Sequence, residues 1–143
     1  MEKYKDLDEV EVDILFCNKM QGYLIKLRTR CGLNVSQAAR WQGMDAGNLS
    51  RYETVANDMH THTYLRIVNR YREKLHEPCL PEDYFILMLK KYRKELGYTK
   101  QDLAEMLNVD SSVVYRFEKN ENMHLKSYIR SCYVMGVENL TIV

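Results

Sequence analysis

GYTKQDLAEMLNVDSSVVYRFE, residues 97–118, is the stretch on which the fold reading turns. Thr99 stands where an N-cap starts a helix, apolar residues then recur at helical spacing, and Asn108 tolerates the left-handed geometry that ends one. Asp110 is a further N-cap candidate, so the stretch predicts helix, short turn, helix. The same order is written earlier as GLNVSQAARWQGMDAGNLSRYE, residues 32–53, which aligns without a gap at an offset of 65. Gly32 matches Gly97, Ala39 matches Ala104, Met44 matches Val109, Asp45 matches Asp110, Leu49 matches Val114, Arg51 matches Arg116, Tyr52 matches Phe117 and Glu53 matches Glu118. Upstream, Arg28 matches Arg93, and the caps Asn34 and Gly43 stand opposite Thr99 and Asn108.

The correspondence continues downstream, where MHTHTYLR, residues 59–66, returns as MHLKSYIR, residues 123–130, at an offset of 64. One residue has therefore been gained or lost between Glu53 and Met59, as loops allow. A pattern repeated at fixed spacing marks a structural unit made twice. Each unit reads helix, turn, helix, short turn, helix, and the small Ala39 and Ala104 let two helices cross closely at a steep angle.

The totals fit that reading. The chain has 143 residues, 45% of them apolar and 29% charged, the balance of a folded protein with room for two small modules. No apolar run reaches 18 residues and no charged-then-apolar leader precedes the rest, so no membrane span is expected and the cytoplasm is the expected location. Cys17, Cys31, Cys79 and Cys132 form no CxxC pair and read as reduced thiols. His60 and His62 lack nearby cysteines to complete a zinc site, so no metal and no cofactor is expected. No Gly-rich phosphate loop, GxSxG or HExxH occurs, which argues against an enzyme.

Net charge is only +1, yet it is unevenly spread: −3 over residues 1–20, +5 over 21–76 and −1 over 77–143. The middle third has the basic excess that a phosphate-facing surface needs. Residues 8–20 carry a helical stripe at Val12, Leu15, Phe16 and Met20, predicting an extra N-terminal helix. HEPCLPED, residues 76–83, holds both prolines and reads as a linker short enough for packing to fix the orientation of what it joins. The expected organisation is an N-terminal extension over 1–20, modules over 21–76 and 84–143, and a linker over 77–83. The tail ENLTIV ends apolar, to pack on the second module or to pair with another chain.

Arg and Gly in R-x-x-x-G, a hydroxyl or amide cap, Ala seven after the Gly, Gly or Asn four later and a terminal Glu together resemble the Cro and phage-repressor (XRE-type, lambda-repressor-like) helix-turn-helix family, present twice over roughly residues 22–75 and 85–138. The second copy is the closer match, whereas the first has Ala38 in place of a larger aliphatic and Gly47 inside the recognition helix. The resemblance implies an all-α fold in which a fourth helix closes each core through Tyr64 and Leu65, or Tyr128 and Ile129. His60 and His124 then read as cap or loop contacts. It also implies ion pairs, Arg28 with Glu53 and Arg93 with Glu118, tying the first helix to the end of the third.

Carried over by position, the DNA-contact candidates are Lys100, Ser111, Ser112, Tyr115 and Arg116 in the second module. The first offers Ala46, Gly47, Asn48, Ser50 and Arg51, with Val35 at the start of its second helix and Arg40 and Lys26 as phosphate contacts. Ser and Arg can hydrogen-bond base edges, so the second set is the stronger reader of sequence. Trp41 and the 11 tyrosines lie mostly on apolar stripes and read as core or interface rather than as base-stacking platforms. The expected function is a transcription regulator that binds double-stranded DNA, alone or as a homodimer, at a non-palindromic site. The alternative is a protein-binding factor on the same scaffold, such as a phage-encoded inhibitor or an antirepressor, favoured by near-neutral charge and the sparse first recognition helix.

Overall fold

The computed structural model describes residues 9–54, 59–119 and 122–137, with side chains from residue 19 onward. Among the described residues the fold is all-helical, with eight helices and no strand: α1 Glu9–Arg30, α2 Val35–Gln42, α3 Ala46–Thr54, α4 Thr61–Lys74, α5 Tyr84–Glu95, α6 Lys100–Leu107, α7 Ser111–Phe117 and α8 Leu125–Val134. The N-terminal helix expected as a separate element is continuous with the one ending at Arg30, and α1 runs 22 residues. Gly22 sits within it, but a lone glycine costs a helix interior only about 1 kcal/mol and does not end it. Val12, Leu15 and Phe16 of the expected stripe, the length change between Glu53 and Met59, and the 138–143 tail lie outside the described side chains or residues.

Helix starts and stops follow the local chemistry. Asn34 accepts from the Gln37 N–H while the Gln37 side chain accepts from the Asn34 N–H, a reciprocal capping box that opens α2. Thr99 and Asp102 make the same box at the start of α6. Both helices end on a residue in the left-handed region, Gly43 at φ 75° and Asn108 at φ 57°. The short turn demands that conformation, and Asn is among the few residues besides Gly that adopt it readily. The next N–H in each case, Met44 or Val109, reaches back to the carbonyl of Ala39 or Ala104.

One core runs through the described residues. Leu24, Leu27, Leu49, Tyr64, Ile67, Val68 and Tyr71 are fully buried on the N-terminal side, and Leu89, Leu103, Val114, Leu125, Ile129 and Cys132 on the C-terminal side. Ala39 and Ala104 are buried as the close helix crossing requires. Phe85 joins the two sides, its ring edge-on to Tyr64 at 5.8 Å and to Tyr128 at 4.7 Å between centroids. Each such aromatic pair contributes about 0.5–1.5 kcal/mol beyond the area it buries.

Backbone pairing adds a second joint. His60 and His124 form an isolated antiparallel bridge in which the Thr61 N–H donates to the Met123 carbonyl at 2.8 Å and the Leu125 N–H donates to the Met59 carbonyl at 2.9 Å. The two imidazoles meet edge-on, 5.1 Å between centroids, and α1 packs along α8. The proline-bearing connection is also fixed in place. Asn69 accepts from the Leu80 N–H and donates to the Leu80 carbonyl, Arg72 donates to the Pro78 carbonyl at 2.6 Å, and Arg30 pairs with Glu77.

Candidate nucleic-acid interface

α7 is mounted from beneath by an ion pair. Arg93, in the last turn of α5, donates through Nε to Glu118 Oε2 at 2.8 Å and through Nη2 to Oε1 at 3.1 Å, while its Nη1 donates to the Tyr98 carbonyl at 2.9 Å. One guanidinium thereby ties the first helix of this half to the turn before α6 and to the end of α7. The planar fork suits a bidentate carboxylate, and no other side chain presents it in that geometry. Arg28 does the same at its offset, with Nε to Glu53 Oε2 at 2.8 Å and Nη1 to the Leu33 carbonyl at 3.0 Å.

With Val114 buried beneath, α7 turns Ser112, Tyr115 and Arg116 outward, and Ser111 is half-buried. Tyr115 is 47% exposed, and the Lys100 ammonium, from the first residue of α6, lies 4.4 Å from its ring centroid. That cation–π contact brings together two candidates 15 positions apart across the turn, beside an open depression of about 580 Å³ also lined by Lys94, Tyr98 and Gln101. Asp110 holds the N-cap position of α7, but its carboxylate caps no backbone group. Instead it accepts the Ser112 hydroxyl at 2.6 Å. In this state the Ser112 proton is committed, and its oxygen offers only acceptor capacity.

On α3 the equivalent carboxylate, Asp45 Oδ2, accepts the Gly47 N–H at 3.0 Å. A Cβ at residue 47 would meet that oxygen at 2.9 Å, so a larger residue there requires the Asp45 carboxylate to move. Asn48, Ser50, Arg51 and Arg40 are exposed, as is Lys26, while Ala46 and Val35 are half-buried. Arg51 lies over the Tyr52 ring at 5.3 Å, and the Ser50 carbonyl accepts the Thr54 hydroxyl. The face of α3 is therefore short-chained, with Arg51 drawn along the surface.

Trp41 is half-buried, stacked on Tyr71 at 6.1 Å and overlain by Arg70 at 4.6 Å and Lys74 at 5.4 Å, a structural arrangement rather than an open platform. The largest shifts in ionisation belong to groups in the core or packed against it. Burial pushes Tyr71, Tyr92 and Cys132 each up to about 12, and Tyr128 well above its ordinary value. Among the described residues no group of three or more His, Cys, Asp or Glu converges on a metal position, and no helix is long and apolar enough to cross a membrane.

An exposed short helix, fixed by a buried Arg–Glu pair and preceded across a left-handed turn by a capped helix, is the form in which a chain presents side chains to a groove. Residues 89–123 match a helix-turn-helix family. The matched span holds the end of α5, all of α6 and α7 and the residues leading to α8. The match points to a DNA-binding regulator of the XRE type, and the family is one of DNA-binding domains rather than enzymes. No curated protein and no solved structure matches the chain.

Sequence reading left out Lys94, Tyr98 and Gln101 beside the Lys100–Tyr115 contact, and the bond from Ser112 to Asp110. A serine two residues after an N-cap aspartate is a local signal that points to that last bond. Nothing local points to the other three.

Proposed function

We propose that the chain is a sequence-specific, repressor-like DNA-binding transcription regulator built from two tandem helix-turn-helix units, residues 21–76 and 84–143, with α3 and α7 as unlike recognition helices. The observation that carries it is α7: Ser112, Tyr115 and Arg116 face outward from a helix immobilised by Arg93 and Glu118, within the span that matches the helix-turn-helix family. In this reading Arg116 reads base edges, Ser111 and Ser112 hydrogen-bond at the helix start, and Lys100 and Tyr115 set the approach to the phosphates. Tandem duplication is supported by the capping boxes, left-handed turns and ion pairs that recur at an offset of 65. Arg40, Arg51 and Lys26 supply phosphate contacts from the N-terminal unit, whose Ala46, Gly47, Asn48 and Ser50 discriminate less between bases.

Binding to random-sequence duplex at two salt concentrations tests this. Phosphate contacts give an affinity that falls steeply with salt, the logarithmic slope counting the phosphates neutralised. No binding at low salt would leave the second reading, a protein-binding factor. That reading has one observation of its own, the short-chained α3 whose Arg51 lies along Tyr52.

A further inference from the structure

In a two-fold dimer the same contact is written twice, residue i of one copy meeting j of the other and j meeting i. The bridge at His60 and His124 has that form inside one chain. Thr61 and Leu125 are equivalent under the 64-residue offset of the Met-His stretches, as are Met59 and Met123, and each N–H of the first pair reaches the opposite carbonyl of the second. Phe85 between the equivalent Tyr64 and Tyr128 supplies the apolar part of the same joint. The backbone edge at Met59–Thr61 is thus already occupied by the equivalent stretch of the other half.

We infer that the chain is its own dimer: a single copy occupies a whole DNA site through both halves, and that site consists of two unlike boxes in inverted orientation. The inversion follows from the two-fold character of the backbone bridge, because helix-turn-helix units related by a two-fold axis read inverted half-sites. The inequality follows from AGNLSRY facing one box and SSVVYRF the other. Fixed spacing follows from a joint made of backbone bonds and buried rings rather than a free linker. This inference rests on the DNA-binding reading and adds stoichiometry and site architecture to it.

The full chain is used to select duplexes from a random pool, and the mass of the complex on a selected duplex is measured by sedimentation. The expected result is one chain per duplex and two different boxes, inverted, at constant spacing. Scrambling either box then weakens binding about a hundredfold, since several mismatched pairs add. Inserting about 5 base pairs, half a helical turn, between the boxes weakens it by a similar factor. Two chains per duplex, a single box with random flanks, or boxes in direct repeat would overturn the inference and leave the DNA-binding reading in place. Failure to retain any duplex would overturn that reading, and the inference with it.

Discussion

The two halves solve one mechanical problem to different depths. In the C-terminal half Arg93 grips Glu118 through two hydrogen bonds, and the carboxylate side chain is 1% exposed. In the N-terminal half Arg28 reaches Glu53 through a single side-chain bond, with the carboxylate 7% and the arginine 17% exposed. α7 and α3 differ in the same sense. Asp110 holds a serine hydroxyl and Lys100 covers Tyr115, while Asp45 holds a bare glycine N–H and Arg51 lies on Tyr52. A shared backbone plan therefore does not imply a shared working surface: the elements that set helix geometry recur, and the outward side chains are where the halves part.

The sharpest way to break the comparison is at the ion pairs. Arg93→Ala is expected to cost about 3–5 kcal/mol, because it strands Glu118 in the core. Arg28→Ala is expected to cost less, about 1.5–3 kcal/mol, because Glu53 is held by one hydrogen bond rather than two and the site is wetter. Denaturant melts decide it; equal losses, or less than about 0.5 kcal/mol for Arg93→Ala, would show that burial does not distinguish the pairs.

On selected DNA, Arg116→Ala is expected to weaken binding by about 1–3 kcal/mol and relax preference at one position, as loss of a base contact does. Arg51→Ala is expected to weaken all sequences alike and to reduce the salt slope by about 1, as loss of a phosphate contact does. Competition titrations at several salt concentrations separate the two patterns. Identical patterns would erase the division of labour between α3 and α7.

Exchanging the residues beside the aspartates is gentler. Ser112→Gly is expected to destabilise by about 0.5–1 kcal/mol, since it removes the hydroxyl and loosens α7. Gly47→Ser is expected to stabilise by less than about 1 kcal/mol, the Asp45 carboxylate swinging aside and the new hydroxyl serving as its donor. Thermal melts that instead show a loss above about 1 kcal/mol for Gly47→Ser would mean that the carboxylate cannot move.

The smallest effect is on pH dependence. Tyr92, Tyr128 and Cys132 in the C-terminal half and Tyr71 in the N-terminal half all have raised values, so the folded state holds protons that the unfolded chain releases near 10 for tyrosine and 9 for cysteine. Their contribution is complete below about pH 9 and declines as pH rises toward about 12. Melting temperature should therefore fall progressively above about pH 9, and Cys132→Ala should soften the onset. A melting temperature level up to about pH 11 would contradict the burial of these groups.

Much of the fold could be read directly. Asn34, Thr99, Gly43 and Asn108 act within three or four residues of themselves, so their capping roles are visible in the order of residues. The pairs Arg28 with Glu53 and Arg93 with Glu118 were legible through the family resemblance, which the same spacing written twice reinforced. Asp110 misled in part, since its position at the start of α7 was right but its carboxylate serves Ser112 rather than the backbone. The continuity of α1 was obscured because one glycine weakens a helix by an amount that tertiary packing readily overrides.

By itself the sequence determined the capped helices α2 and α6, the left-handed turn between α6 and α7 and its recurrence in the earlier half, because each depends on interactions of short range along the chain. Only the tertiary structure decided that Phe85 lies between Tyr64 and Tyr128, that Lys100 covers Tyr115, and that the two Met-His stretches meet backbone to backbone. Such contacts join residues distant in the chain, and hydrophobic burial, which drives them, depends on area and not on which partner supplies it. No local pattern encodes the choice of partner, so it emerges only when the helices pack.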